Sequence, residues 1–318
     1  MQEVVVDCTT SLLGGDALLV YEVENLVKKY PRQQHPANEH LSFEVREGEI
    51  FGILGNNGAG KSTLVRQLAN LLRSTSGIIR LHGRPLDEEP LRVPLTVGYM
   101  PQEAGALNRL TTGEALYFSA HLRGMGAADA RRERDQLLEF WGLSPLRDRD
   151  SATLSGGERR LLRLAVAQAG ALPVLLLDEP TNDLDPLRRR LVWSNLRKLK
   201  KERGTTIIFI THDALEAEKV IERVAIMHKG RMVAVGAPAT LKERLGHRFR
   251  FELRFSPDRQ PQLPPGSRYE QRDEGHWVVY AKGPEAVELL ALLQRQDLDD
   301  LRMQSPTLED LYFHYVTE

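Results

Sequence analysis

The chain has 318 residues, 41% hydrophobic and 27% charged, the balance of a soluble globular protein of about two domains. A formal net charge of −1 excludes the global basic field that draws nucleic acid, so no direct nucleic-acid binding is expected. The single cysteine, Cys8, excludes an intrachain disulfide and a Cys-rich metal site, which suits a reducing cytoplasm, and no run reaches the roughly 18 consecutive apolar residues of a membrane span.

In chain order, residues 1–16 read as a poorly ordered tail, broken by Thr9-Thr10-Ser11 and Gly14-Gly15 and lacking the basic start and apolar core of a secretion signal. Strands are predicted over Ala17–Val23 and His40–Val45, either side of a polar, Pro-containing loop. The apolar run Ile50–Leu54 predicts a buried strand, and Ser62–Leu72 carries leucines at helical spacing. Gly77–His82 is a further strand. Residues 103–153 differ in character: Ala115, Leu116, Phe118, Ser119 and Leu122 recur with helical period, and the charged run Arg131–Asp135 leads into Leu137, Leu138, Phe140 and Trp141. This predicts a helical insert, with the arginines on a solvated face. A helix follows over Leu161–Ala171. Val174–Leu177 and Thr206–Ile210 are fully apolar, as buried parallel strands are. Alternation of strands and helices predicts a doubly wound α/β domain over residues 17–240.

Beyond Leu241 the pattern changes. Arg248–Phe255 alternates apolar and charged residues, a half-buried strand. A Pro-rich loop, a strand at His276–Ala281, a helix at Pro284–Gln294, a short strand at Leu301–Gln304 and a helix at Thr307–Val316 complete a small α+β appendage over residues 241–318. Leu308, Leu311 and Tyr315 are its expected buried residues in the last helix.

Three segments carry chemistry. Gly55-Asn56-Asn57-Gly58-Ala59-Gly60-Lys61-Ser62 fits the P-loop pattern, and it sits between a strand and a helix as that motif requires. Its glycines let backbone N–H groups approach a polyphosphate, and the helix start adds partial positive charge. Asp178-Glu179 end an apolar strand, where ligands sit in open α/β sheets; one carboxylate can hold magnesium and the other can accept a proton from water. Leu154-Ser155-Gly156-Gly157-Glu158 is a capping box whose glycines also expose N–H groups to an anion.

Together these segments resemble the nucleotide-binding subunit of the ATP-binding-cassette (ABC) family, in family order from about residue 18 to residue 236. Gly55–Ser62 matches Walker A, Gln102 in Tyr99-Met100-Pro101-Gln102 the Q-loop, Leu154–Glu158 the signature and Val174–Glu179 Walker B. Thr181–Asp185 resembles the D-loop and Ile210–Asp213 the switch-histidine region. The implied fold is α/β: a P-loop NTPase core with a helical subdomain at about residues 103–164 and the C-terminal α+β appendage. Asp183 stands where glycine or histidine is more usual in the family, and Arg159 where Gln or Met is common.

The resemblance implies an ATPase with ATP and Mg2+. Gly55, Asn57, Gly58, Ala59, Gly60, Lys61, Ser62 and Thr63 would hold the phosphates and Tyr30 would stack on adenine. Ser62, Gln102 and Asp178 would organise the metal. Glu179 would polarise water, His212 would sense the γ-phosphate, and Lys61 would neutralise charge. Ser155, Gly156 and Gly157 would act on the ATP of a partner subunit in a homodimer or heterodimer. His82, His121 and His228 are read as structural or surface residues. Ser305–Phe313 resembles the ending of bacterial type-2 exporters of drugs, polysaccharides and lipids. That implies a separate transmembrane permease and a cytoplasmic, peripheral placement at the inner face of the membrane. The alternative is a soluble ABC ATPase acting on ribosomes or DNA; one P-loop, one signature and a neutral charge disfavour it.

Overall fold

Three short apolar runs decide the central sheet. In the computed structural model, β4 (Ile50–Leu54), β8 (Val174–Asp178) and β9 (Thr206–Thr211) are buried at every position, as interior parallel strands must be. The structure describes residues 5–6, 18–102, 107, 109–243 and 248–317. The expected tail, apart from Val5 and Val6, lies outside the described residues, as does the start of the expected helical insert at 103–106. Two compact units are present, Met1–Gly236 and Ala237–Glu318.

In the first unit, β4, β8 and β9 join β1 (Val5–Val6), β7 (Val97–Met100), β10 (Arg223–His228) and β11 (Arg231–Gly236). The order is β1-β11-β10-β4-β9-β8-β7, parallel throughout except for the β10–β11 hairpin. Val5 and Val6 pair with Ala234 and Val235 within the segment read as a tail.

A second, antiparallel sheet holds the early strands, in the order β3-β2-β5-β6 for β2 (Leu19–Lys28), β3 (Asn38–Arg46), β5 (Ser76–Leu81) and β6 (Arg84–Pro85). The strands expected at Ala17–Val23, His40–Val45 and Gly77–His82 thus form their own layer. Their inward residues share one core with the parallel sheet: Tyr21, Leu41 and Val45 pack with Ile53, Leu64 and Ile208. Phe43 stacks on Phe51, ring centroids 5.7 Å apart. Tyr21 donates its hydroxyl to the Leu68 carbonyl at 3.0 Å, which ties helix α1 (Lys61–Leu68) to the antiparallel layer.

α2 (Arg92–Thr96) precedes β7; α3 (Thr112–Leu122) and α4 (Ala127–Phe140) form the helical region. α3 opens on a Thr111–Glu114 capping box. Phe118 and Leu122, on its predicted apolar stripe, are 42% and 81% exposed, so that stripe exceeds what the core covers. In the charged run of α4, Arg131 and Arg132 face solvent while Glu133 is buried. α5 runs Gly156–Gln168, starting five residues before the apolar periodicity becomes visible at Leu161. α6 (Pro186–Arg203) is bounded by Asp185, which accepts from the N–H groups of Leu187 and Arg188, and by left-handed Gly204. α7 is Ala214–Ala217.

The second unit contains α8 (Pro238–Glu243), β12 (Arg248–Arg254), β13 (Arg268–Asp273), β14 (His276–Lys282), α9 (Gly283–Leu293), β15 (Asp300–Gln304) and α10 (Leu308–Thr317). Its antiparallel sheet has the order β13-β14-β12-β15. Period-2 alternation in β12 sends Phe251 and Leu253 to one face, where Trp277, Val279, Leu289 and Leu293 complete a core under α9. Arg250 points to the other face and meets Asp310 of α10 at 3.7 Å, and Tyr280 donates to Asp310 at 2.6 Å. Leu308 and Leu311 of α10 are buried as expected; of the two tyrosines it is Tyr312 that is buried, while Tyr315 is half-buried.

Candidate active site

The P-loop leaves β4 and enters α1 through Gly60, whose φ is 100°. A Cβ at Gly60 would sit 2.1 Å from the Ala37 carbonyl oxygen, and Asn38 Nδ2 donates to the Gly60 carbonyl at 3.1 Å. Only glycine satisfies both the left-handed backbone and the contact with the start of β3. Two backbone bonds lace the same place: Gly230 N–H to Ala59 at 3.1 Å and Glu39 N–H to Gly230 at 2.8 Å.

A cavity of about 1100 Å³ lies over this loop. Its walls include Tyr30, Asn57, Gly58, Ala59, Gly60, Lys61, Ser62, Thr63, Gln102, Asp178 and Glu179. The sheet explains the meeting: β4 and β8 flank β9, so the loop after β4 and the acids after β8 emerge at the same edge. Gly55 is not on the wall; a Cβ there would lie 2.5 Å from the Met227 carbonyl oxygen, so its absence makes room for that group.

Lys61 is buried and donates to the carbonyls of Gly55 at 2.6 Å and Asn56 at 3.0 Å. Burial holds its ammonium below the usual lysine range, with Glu179 and Asp178 opposing. Asp178 is 2% exposed, and burial raises its carboxyl above the usual range; a hydrogen bond from Ser62 opposes that and Glu179 adds to it. Its Oδ1 is buried with no hydrogen-bond partner, a costly state for a carboxylate oxygen that a cation would relieve. With the Ser62 hydroxyl and Gln102 on the same wall, the donors are all hard oxygens in a small number, which fits magnesium completed by phosphate oxygens. Among the described residues no group of three or more His, Cys, Asp or Glu is clustered for a metal, so a denser protein cage is not on offer.

Glu179 follows β8 and His212 follows β9. Nδ1 of His212 lies 2.9 Å from Oε1 of Glu179. Glu179 is a non-glycine residue at φ 53°, its N–H bonded to the Ile210 carbonyl at 3.0 Å. His212 itself does not line the cavity; it reaches that space through Glu179.

Ser155, Gly156 and Gly157 do not line the cavity either. Ser155 caps α5, its hydroxyl accepting from Glu158 N–H at 3.3 Å while Glu158 returns to Ser155 N–H at 2.8 Å. Ser155 and Gly156 are exposed. Gly157 is buried against Arg188, whose Nη1 would lie 2.5 Å from a Cβ there. The unusual Arg159 is accounted for by its bonds to the Ala152 and Leu154 carbonyls at 3.2 and 3.1 Å. Asp183 has φ 58°, the left-handed conformation that makes glycine common at such a turn.

Tyr30 lines the cavity, its hydroxyl 3.4 Å from Thr63 Oγ1 and its ring under the Lys28 ammonium at 5.4 Å. Several wall residues carry no recognisable sequence signal. The loop Gln33–Ala37, Glu39 and the turn His228-Lys229-Gly230-Arg231 line the cavity, and His228 is thus a wall residue, not merely a structural or surface one. Arg231 and Glu39 form a paired bond at 2.9 and 2.7 Å.

A phosphate loop laid against a strand-end Asp-Glu pair, with a second glycine-containing helix start that does not line the same cavity, is the arrangement of an ATP-binding cassette. A family profile for the ABC transporter matches residues 38–182, so that part of the chain carries an ABC transporter domain. It is 41% identical over 201 residues to the Nod factor export ATP-binding protein I of Paraburkholderia xenovorans, covering 63% of this chain and 66% of that protein. It is 37% identical over 254 residues to ATP-binding cassette sub-family A member 7 of Rattus norvegicus, covering 80% of this chain; the chain spans only 12% of the length of that relative. Among solved structures, cbiO1 of Clostridium perfringens, part of the ABC transporter complex cbiONQ, superposes with a TM-score of 0.64 at 28% identity, over 72% of this chain and 91% of that one.

Proposed function

We propose that this chain is the ATP-hydrolysing subunit of an exporter and energises a separate membrane-spanning permease through ATP-driven closure of a subunit dimer. The observation that carries the hydrolytic part is the Glu179–His212 pair at 2.9 Å, beside a phosphate cradle and an unpartnered Asp178 oxygen. Lys61 turns from its own loop carbonyls to the outer phosphates. Ser62, Gln102 and Asp178 would hold magnesium, which when bound would neutralise charge building on the phosphates. Glu179 takes the proton of a water aligned on the γ-phosphorus, and His212 steadies the resulting charge. Tyr30 offers adenine the ring face not covered by Lys28.

Ser155 and Gly156, which are exposed, and Gly157 all lie off the cavity, which supports their acting on a second subunit's ATP, so that ATP completes the interface and hydrolysis reopens it. Support for a docked permease comes from an apolar groove of about 720 Å³ lined by Leu71, Leu91, Leu95, Tyr99 and Leu122, among others. Leu71, Leu91 and Leu122 are 66%, 77% and 81% exposed there, more apolar surface than a lone subunit gains by showing to water. The exporter direction follows the resemblance of Ser305–Phe313 and the export protein among the relatives.

The test is Glu179→Gln with ATP and magnesium, used to capture partners from gently solubilised native membranes, alongside phosphate release by the unsubstituted chain. Turnover together with a polytopic membrane protein is expected. Turnover with only ribosomal or DNA-bound partners would overturn the transporter part and leave the ATPase.

A further inference from the structure

Arg160 lies in the second turn of α5, and the sequence gives it no role. Its side chain is 8% exposed. Nη1 donates to the backbone carbonyl of Glu179 at 2.8 Å, and Nη2 lies 3.5 Å from the Asp183 carboxylate. Burial pulls its pKa down, and Asp183, Glu179 and Asp178 push it back up. A guanidinium keeps its proton in proteins, so a full charge has been carried inside. The Asp183 contact is long and that carboxylate is 78% exposed, so an ion pair alone does not account for the burial. The contact that does is the bond to Glu179.

Glu179 needs such a bond. Its φ of 53° belongs to the left-handed region, where residues with a side chain are uncommon and persist only when their surroundings hold them. Its N–H is held by the Ile210 carbonyl on β9. Its carbonyl is held by Arg160 on α5. With both peptide groups fixed, the Cα–Cβ direction is fixed as well, and the carboxylate is aimed at His212 and the cavity wall.

We infer that Arg160 is a positioning residue for hydrolysis: its guanidinium grips the Glu179 carbonyl and so sets where the general base points. Arg160 does not line the cavity, so it acts through Glu179 and not on the nucleotide itself. The inference rests on the ATPase reading above.

The experiment compares Arg160→Met, Arg160→Lys, Glu179→Gln and the double variant Arg160→Met/Glu179→Gln, reading single-turnover hydrolysis and ATP affinity separately. Misplacing a catalytic group by about 1 Å can cost roughly 100-fold. Arg160→Met is expected to lower kcat by about 10- to 100-fold on that scale, with ATP affinity within about twofold. Arg160→Lys, which keeps a donor for the carbonyl, is expected to recover most of the rate. In the Glu179→Gln background, Arg160→Met is expected to cost nothing further, because residues acting through one group are not additive. An unchanged kcat in Arg160→Met, or losses that multiply in the double variant, would overturn the inference. Should Arg160→Met fail to bind ATP, the fold is damaged and Arg160→Gln, too short to reach the Glu179 carbonyl in the same way, decides: a lower kcat at unchanged affinity upholds the assignment, and a full rate or an equal loss of affinity removes it. An unsubstituted chain without turnover would remove the ATPase reading first, and this inference with it.

Discussion

Glu179 and His212 meet because they are the residues that follow two hydrogen-bonded neighbours in one sheet. Asp178 is in register with Ile210, so the next residue of β8 and the second residue beyond Ile210 leave the sheet side by side, 2.9 Å apart at Oε1 and Nδ1. The pairing is therefore a property of strand register, and it is set before any nucleotide arrives.

Glu179→Gln keeps that geometry and removes the proposed base. Hydrolysis is expected to fall by about 10²–10⁴, with ATP still bound and a nucleotide-held dimer accumulating. Single-turnover phosphate release and size-exclusion chromatography with ATP and magnesium check this. Wild-type turnover in the variant would refute the role given to Glu179.

Gly58 and Gly60 both have positive φ, 82° and 100°, yet only Gly60 faces a steric wall. Gly58→Ala is expected to cost about 1–2 kcal/mol, the strain of a left-handed alanine. Gly60→Ala adds a clash with the Ala37 carbonyl and should cost more and abolish ATP binding. Urea unfolding and equilibrium dialysis with ATP would show the order; equal effects would contradict it.

Asp178 gives a pH dependence whose sign can be worked out. Burial raises its folded pKa above the unfolded value, so between the two the folded chain holds the extra proton. Stability from this group therefore declines as pH rises from the acid side through the folded pKa, and stays reduced above it. Asp178→Asn removes the penalty. In metal-free protein its melting temperature is expected to exceed wild type by a margin that grows from acid towards neutral pH. With magnesium and ATP present the order should reverse. A margin that shrinks with rising pH would contradict the assignment.

In the second unit, Asp310 in the first turn of α10 is buried and accepts bonds from Tyr280 and from Thr307 while facing Arg250. Asp310→Ala leaves Arg250 buried without that partner and is expected to destabilise the unit by about 3–5 kcal/mol. Tyr280→Phe removes one bond to a charged group and should cost about 1.5–3 kcal/mol. Trp277, the one tryptophan in residues 237–318, reports on this unit in chemical denaturation. An unshifted transition in Asp310→Ala would show the network to be idle.

What the sequence makes legible is local. The P-loop, the acids ending β8 and the Ser155–Glu158 capping box each lie within a few residues, and their chemistry follows from spacing. Asn38, the His228–Arg231 turn and Arg160 escape because each acts on a residue 19 or more positions away or through a fold-dependent cavity wall. Arg160 in particular sits among Arg159 and Arg163 and looks like one more solvated charge. The early strands carry the right period but not their address, since alternation in β2 and β3 does not say which sheet they join. Leu122 misleads in the opposite way: its helical period is real, and the face it marks is a surface groove.

The phosphate loop is encoded early and assembled late. Its strand β4 is flanked by β9 and β10, from residues 206–211 and 223–228, and its own backbone is tied to Gly230. A growing chain that has released residues 50–62 owns the motif but not the cradle, and it must wait for some 170 further residues before those glycines are held in place. ATP therefore has no grip on the nascent chain until the first unit is all but finished, so the nucleotide stabilises a completed cassette and cannot rescue a truncated one.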